Sequence, residues 1–298
     1  MTPDATSEFK LDRPLDLVAT LAPIGTGAWF RLGRDEAWRA SRTPEGPSTL
    51  HLRLAKDTMM VEAWGAGARW AVDQAPLICG EADDASGFVA VHPLIARLHR
   101  GHPGLRLPRT HAVFEALVPT VIGQLVTGIE SEVAYRALVA ALGEPAPGPV
   151  AMSLPPSPQV LAGTPYWRFH RFGIERRRAE VIIRAARSAK RLEEIVNMGR
   201  DDAYRRLLAF PGVGPWTAAK VATVTVGDPD AVPVGDYHLP HTVGYALEGT
   251  PRSTDERMLE LLEPYAGQRG RVIRLLMLAG ITAPRFGPRK PLRNILHS

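Results

Sequence analysis

The stretch Leu207-Leu208-Ala209-Phe210-Pro211-Gly212-Val213-Gly214-Pro215-Trp216-Thr217-Ala218 ends one helix, turns through Pro-Gly-x-Gly and begins another. Glycines at 212 and 214 permit positive φ and a close approach of the backbone to something bulky. Pro215 falls in the first turn of the second helix, where its missing N–H costs nothing. The expected product is a helix N-terminus whose free N–H groups point outward and favour a phosphate. Turn glycines alone give a similar local pattern, so the weight rests on a second segment about 20 residues downstream. There Asp230-Ala231-Val232-Pro233-Val234-Gly235-Asp236-Tyr237-His238-Leu239 places a carboxylate at the start of the next helix.

Outward from this centre, two textures divide the chain. Residues 1–90 read as a small antiparallel sheet domain, with alternation in His51-Leu52-Arg53-Leu54, a β-rich run at 59–64, and turn clusters at 25–27 and 44–47. Trp29, Trp38, Trp64 and Trp70 lie there and read as sheet-face packing. Residues 91–298 read as an all-α body. Helices are expected over 111–124 with Thr110 as N-cap, 130–142 ended by Gly143, 175–194, 201–210, 215–226, 237–247, 255–265 and 269–280. The stretch 144–158 carries six prolines and is expected to be a loop; the Arg-rich tail after Ala283 reads as irregular.

Composition narrows the function classes. With 298 residues there is ample core for two domains, and 45% hydrophobic against 22% charged residues describes a globular chain. No apolar run reaches the roughly 18 residues of a membrane span. The start, MTPDATSEFKLDRP, lacks a basic-then-apolar leader, so a cytoplasmic, nucleoid-associated protein is expected. The single Cys79 excludes a cysteine-ligated iron–sulfur cluster and a CxxC zinc site. Residues 1–90 hold 9 basic and 13 acidic groups of the chain's 36 and 31, leaving 27 and 18 for the rest, so the basic, partner-seeking part is C-terminal. All but five of the basic residues are Arg, suited to forked phosphate contacts but also abundant in any GC-rich genome.

Together the hairpin and the aspartate segment resemble the signature of the helix-hairpin-helix DNA glycosylase superfamily. Trp216 after the hairpin and Gly235-Asp236-Tyr237 look most like the 3-methyladenine DNA glycosylase II group. A second match, Val118-Pro119-Thr120-Val121-Ile122-Gly123-Gln124-Leu125-Val126, is similar to the Gly-Gln helix end that carries a DNA-wedging residue in that family. The resemblance spans residues 91–282 and implies two helical lobes flanking a cleft, with residues 1–90 as an accessory sheet. The expected fold class is mainly α with a small N-terminal α+β domain.

The resemblance implies a role for each residue, beside which a plainer one stands. Asp236 is a helix N-cap by pattern and the catalytic carboxylate by resemblance, two compatible roles, because a helix N-terminus keeps it ionised. Leu125, beside Gln124, is ordinary core by pattern and an intercalating wedge by resemblance. Trp216 is core packing or a ring stacked on a cationic base. It stands where bifunctional relatives carry a Schiff-base lysine, which disfavours lyase chemistry. Lys220, one helical turn on, departs from the aromatic usual there; facing the pocket it repels a cationic base, facing out it meets phosphate or solvent. Tyr237 and Tyr265 complete the expected base pocket, and His238 and His241 flank the aspartate. Pro211, Gly212, Val213, Gly214, Thr217, Arg176 and Arg178 are expected on DNA, the arginines, with Arg171 and Arg177, forming a basic helix start that opposes the dipole.

No cofactor is required. The carbonyls of Leu208, Phe210 and Val213 form, by resemblance, a site for a monovalent cation such as Na+ or K+. The expected reaction is hydrolysis of the N-glycosidic bond of alkylated purines, flipped out of double-stranded DNA by a monomer with no membrane partner. Oxidised, deaminated or bulky bases, with lyase activity through Lys220, are the first alternative. A noncatalytic DNA-binding module is the second.

Overall fold

The computed structural model describes residues 1–284; the Arg-rich tail lies outside the described residues. The N-terminal region is one antiparallel sheet of β1 (Ala5–Lys10), β2 (Phe30–Leu32), β3 (Glu36–Thr43), β4 (Gly46–Ala55) and β5 (Thr58–Trp64), ordered β1-β5-β4-β3-β2. The pairings Ala37↔Leu52 and Leu52↔Val61 set the register, which puts the small and branched side chains on one face. Helix α1 (Leu17–Leu21) lies between β1 and β2, and α2 (Ala68–Ile78) packs on the apolar sheet face. On the other face Trp38 stacks on His51 at 3.8 Å and on Trp64 at 5.6 Å. Cys79, at the end of α2, is buried, and burial pushes its thiol up to about 12.

The helical body follows with α3 (Pro93–Gly101), α4 (Val113–Ile122), α5 (Gly128–Leu142), α6 (Pro158–Gly163), α7 (Tyr166–His170), α8 (Arg176–Arg187), α9 (Ala189–Glu193) and α10 (Arg200–Leu208). It ends with α11 (Pro215–Thr225), α12 (Leu239–Glu248), α13 (Asp255–Leu262) and α14 (Arg269–Leu278). One hydrophobic core joins the sheet residues Leu50, Leu52 and Val61 to α4, α5, α8 and α11 through Val121, Leu138, Ile182 and Ala218. Trp29 meets Tyr135 of α5 edge-on at 4.5 Å within it. A second core gathers Ile95, Val243, Met258, Leu262 and Leu276 from α3 and α12–α14. The chain passes from the first core to the second in the loop after α11, and Asp236 lies on that loop.

Several elements differ from their sequence expectation, each for a long-range reason. Helix α4 starts at Val113, not His111, and Thr110 does not cap it. The carboxylate of Glu193, far along the chain, takes the N–H groups of Val113 and Phe114 at 2.8 Å each. Thr110 instead donates its backbone N–H to Val224 O at 2.9 Å. The single helix expected over 175–194 breaks at Ser188 into α8 and α9. The proline-rich stretch contains a small hairpin of β6 (Glu144–Pro145) and β7 (Ser153–Leu154). Helix α12 begins at Leu239 because Asp236 takes the N–H groups of His238 and Leu239.

Buried ion pairs tie the architecture together. Arg106 is fully buried; its guanidinium reaches Glu81 and the carbonyls of Arg13 and Pro14. Arg271 of α14, 1% exposed, meets Asp83 at 2.5 Å. Between the lobes, Arg200 of α10 and Arg269 of α14 converge on Asp230, with Asp228 beside them. Burial there favours the neutral acid, but the hydrogen bonds and charge of Arg269, with Arg200, outweigh it and hold Asp230 below the usual carboxylate range.

Candidate DNA-facing cleft

The hairpin between α10 and α11 is fixed from below. Gly212 has φ +94°, and a Cβ there would lie 2.3 Å from Val181 Cγ2 of α8, so the turn rests directly on that helix. Val213 points inward and is buried. Gly214 differs from expectation: its φ is −97°, and a Cβ would meet nothing within 4 Å. Its role is therefore to leave the outer surface of the turn open, not to supply positive φ. The N–H groups of Gly212 and Gly214 have no hydrogen-bond partner among the described residues. Both stand at the start of α11, where Pro215 and the helix dipole complete an anion-receptive end.

Beside the hairpin, the end of α4 presents Leu125. This side chain is 89% exposed and its backbone is left-handed, φ +60°. A non-glycine residue in that conformation costs about 1 kcal/mol or more, and an exposed leucine gains nothing by burial to offset it. Two neighbours hold the loop in place. Gln124 Nε2 donates to Gly212 O and to Thr217 Oγ1, both at 2.9 Å, which staples the loop to the hairpin. Arg178 is buried and donates to Ile122 O at 2.5 Å, the carbonyl at the negative end of α4. Arg178, expected on DNA, is thus inside the lobe, and Gln124 and Thr217 are engaged with one another.

Half-buried Asp236 accepts Trp216 Nε1–H at 2.9 Å through one oxygen. Through the other it accepts the N–H groups of His238 and Leu239, at 2.9 and 3.0 Å. Burial raises the carboxyl group, but the indole bond, the two backbone bonds and the Lys220 charge outweigh it and hold Asp236 below the usual carboxylate range. Lys220 faces the same space, its Nζ 6.0 Å from the Trp216 ring. It stays in contact with solvent, yet the surrounding protein and then Arg274 push it down, with Asp236 opposing. Burial likewise lowers Arg274 of α14 to about 10, while its guanidinium donates to Ala19 O.

The remaining expected residues divide. Tyr237 is 76% exposed beside the aspartate, its ring edge-on to His238. His241 Nδ1 accepts Ser253 N–H, a structural bond. Tyr265 does not line the cleft: it is 4% exposed in the second core, near Phe88, and its hydroxyl accepts His92 N–H. Arg176 is exposed but paired with Glu180, whereas Arg171 and Arg177 extend outward. Sequence reading missed Arg274 altogether, since nothing local places a residue 38 positions beyond Asp236 near Lys220. Among the described residues Leu208 O and Val213 O have no hydrogen-bond partner, and Phe210 O takes only Val213 N–H, so these carbonyls retain the lone pairs a monovalent cation would use. Among the described residues no cluster of His, Cys, Asp and Glu is arranged to hold a metal ion, and no helix is long and apolar enough to cross a membrane.

The hairpin, the aspartate-bearing loop and the loop that exposes Leu125 stand on a fold shared with solved DNA glycosylases. A 3-methyladenine DNA glycosylase from Archaeoglobus fulgidus shares it with a TM-score of 0.74 at 17% identity, over 91% of this chain and 97% of that one. In sequence the chain is similar to DNA-3-methyladenine glycosylase 2 of Escherichia coli, 35% identical over 133 residues, 43% of this chain and 46% of that protein. It is also 33% identical over 142 residues to a probable bifunctional transcriptional activator/DNA repair enzyme of Mycobacterium tuberculosis, 46% of this chain and 28% of that protein. The chain therefore spans less than half the length of either curated relative. No protein-family model matches it.

Proposed function

We propose that this chain is a monofunctional DNA N-glycosylase of alkylation repair, releasing N3- or N7-alkylated purines from double-stranded DNA. The observation that carries the reading is Asp236: a carboxylate kept ionised by three N–H donors, in a cleft flanked by an anion-receptive hairpin and an exposed leucine. The hairpin N–H groups of Gly212 and Gly214 hold a backbone phosphate, and Leu125 enters the stack where the damaged nucleotide has left it. Asp236 stabilises positive charge growing on the sugar and takes a proton from water, whose oxygen bonds to C1′ as the glycosidic electron pair departs with the base. An alkylated purine already carries the positive charge and leaves neutral, so one carboxylate suffices where ordinary glycosidases need two. Trp216, fixed by its bond to Asp236, offers a ring face to the base. A K+ or Na+ on the carbonyls of Leu208, Phe210 and Val213 would reinforce phosphate binding at the turn.

Lys220 favours a second reading. An amine beside the aspartate repels a cationic base and suits oxidised or deaminated bases, and its lowered affinity for protons suits attack on an abasic aldehyde. Base release from alkylated duplex DNA, comparing the wild type with Asp236→Asn and adding alkali to reveal abasic sites, tests the first reading. Released 3-methyladenine or 7-methylguanine that vanishes in the variant is the expected result. Absence of release, with a borohydride-trapped adduct on abasic DNA that disappears in Lys220→Ala, would replace it with the second. Unchanged salt-dependent binding and no product from any lesion would leave a binding module.

A further inference from the structure

Beside the hairpin, and separate from the Asp236 cleft, a groove of about 410 Å³ runs between α6–α7 and α8. Trp167 forms one wall and is 62% exposed, an unusual position for so large an apolar ring. Tyr166 meets it edge-on at 5.8 Å, and Arg176 in turn covers the Tyr166 ring at 4.7 Å, so the indole stands on a braced support. Arg184 and Arg187 line the same groove, three residues apart on one face of α8. Glu180, the acid in the lining, is engaged by Arg176 at 2.7 Å, which leaves the groove's charge to the two arginines. Arg187 has no partner among the described residues, and Arg184 meets only Pro211 O of the hairpin, at 3.4 Å.

We infer that this groove binds an unpaired nucleotide of a DNA strand, its base stacked on Trp167 and its phosphate held by Arg184 and Arg187. A flat exposed ring in one groove with two guanidinium groups suits a base and its phosphate, and the volume suits a ligand of that size. Bases inside a duplex present only their edges, so stacking on Trp167 requires a nucleotide outside the helix. The Arg184 contact makes the groove continuous with the hairpin, which places this nucleotide next to the phosphate held there. The inference takes its polymer from the proposed function but needs neither the lesion nor Asp236.

The test is fluorescence anisotropy with undamaged duplexes, blunt or carrying a single-stranded thymidine overhang on the 5′ or the 3′ end. The wild type should bind one overhang duplex about ten-fold more tightly than the blunt one, the effect of stacking one base. Trp167→Ala and, separately, Arg187→Ala should erase that preference, Trp167→Phe should keep most of it, and all three should bind blunt duplex as the wild type does. Equal affinity for blunt and overhang duplexes in the wild type, or a preference that survives Trp167→Ala, would overturn the inference. Failure of base release would refute the proposed function while leaving the overhang preference to stand or fall by itself.

Discussion

The arginines buried under the lobes and those spread around the hairpin are the same side chain put to opposite uses. Arg106, Arg178 and Arg271 are closed off from water and bonded to carboxylates or carbonyls, so they fix geometry. Arg177, Arg184 and Arg187 are exposed, and among the described residues Arg184 alone of the three has a hydrogen-bond partner, a long one to the hairpin. Arg176 and Arg178 make the point within one helix. Two positions apart on α8, they face roughly opposite sides, one paired at the surface and the other under the loop that bears Leu125. An arginine count therefore says little about DNA; the fraction left without a partner says more.

The comparison breaks most visibly at the buried pair. Asp83→Ala strands Arg271 without its counter-charge and should cost about 3–5 kcal/mol, read from the urea midpoint, while Arg177→Ala should cost under about 0.5 kcal/mol. A loss of less than about 1 kcal/mol in Asp83→Ala would dissolve the distinction. Next in size, Arg178→Ala leaves the Ile122 carbonyl unsatisfied and should cost about 1–3 kcal/mol. It should also lower base release more than duplex binding, since the loop bearing Leu125 loses its brace; equal losses in both would assign Arg178 to stability alone.

Acid sharpens the contrast in a different way. The folded value of Asp230 lies below its unfolded one, so the arginine cluster contributes its full stability above the unfolded value of about 3.9 and loses it as pH falls through the lowered one. Asp230→Asn should flatten the stability profile in that acidic window, as followed by circular dichroism; an unchanged profile would show that the cluster does not titrate with unfolding. The smallest effect belongs to the free surface. Arg177→Ala should leave melting unaltered and reduce the slope of log affinity against log salt by about 1, provided that it meets a phosphate. An unchanged slope would return Arg177 to a solvated face.

The features legible in the sequence are those written within a dozen residues: the turn at 211–214, the aspartate segment, and the Gly-Gln segment that ends α4. The illegible ones cross the chain. Glu193 caps a helix that starts 80 residues earlier, and Gln124 reaches 88 residues ahead to the hairpin, where local patterns carry no trace of the partner. Tyr265 looked like pocket lining from its place in the order of motifs, yet the apolar surroundings of α3 and α14 take it into the core. Gly214 carried the same letter as Gly212 but not the same conformation, because only Gly212 must lie flat on Val181. Leu125 reads as core or wedge from the sequence, and its exposure removes the core reading.

Cys79 turns the molecule into a convenient chemical instrument. It is the chain's one thiol, buried, and with its proton held to about 12 almost none of it is thiolate at neutral pH. A cysteine installed at an exposed position, Leu125→Cys or Trp167→Cys, would then be the single reactive sulfur in the protein. A disulfide-forming tether on a chosen nucleotide would capture each variant at its own place along the DNA, and the pair of captures would measure how far the wedge loop lies from the aromatic groove on the bound strand.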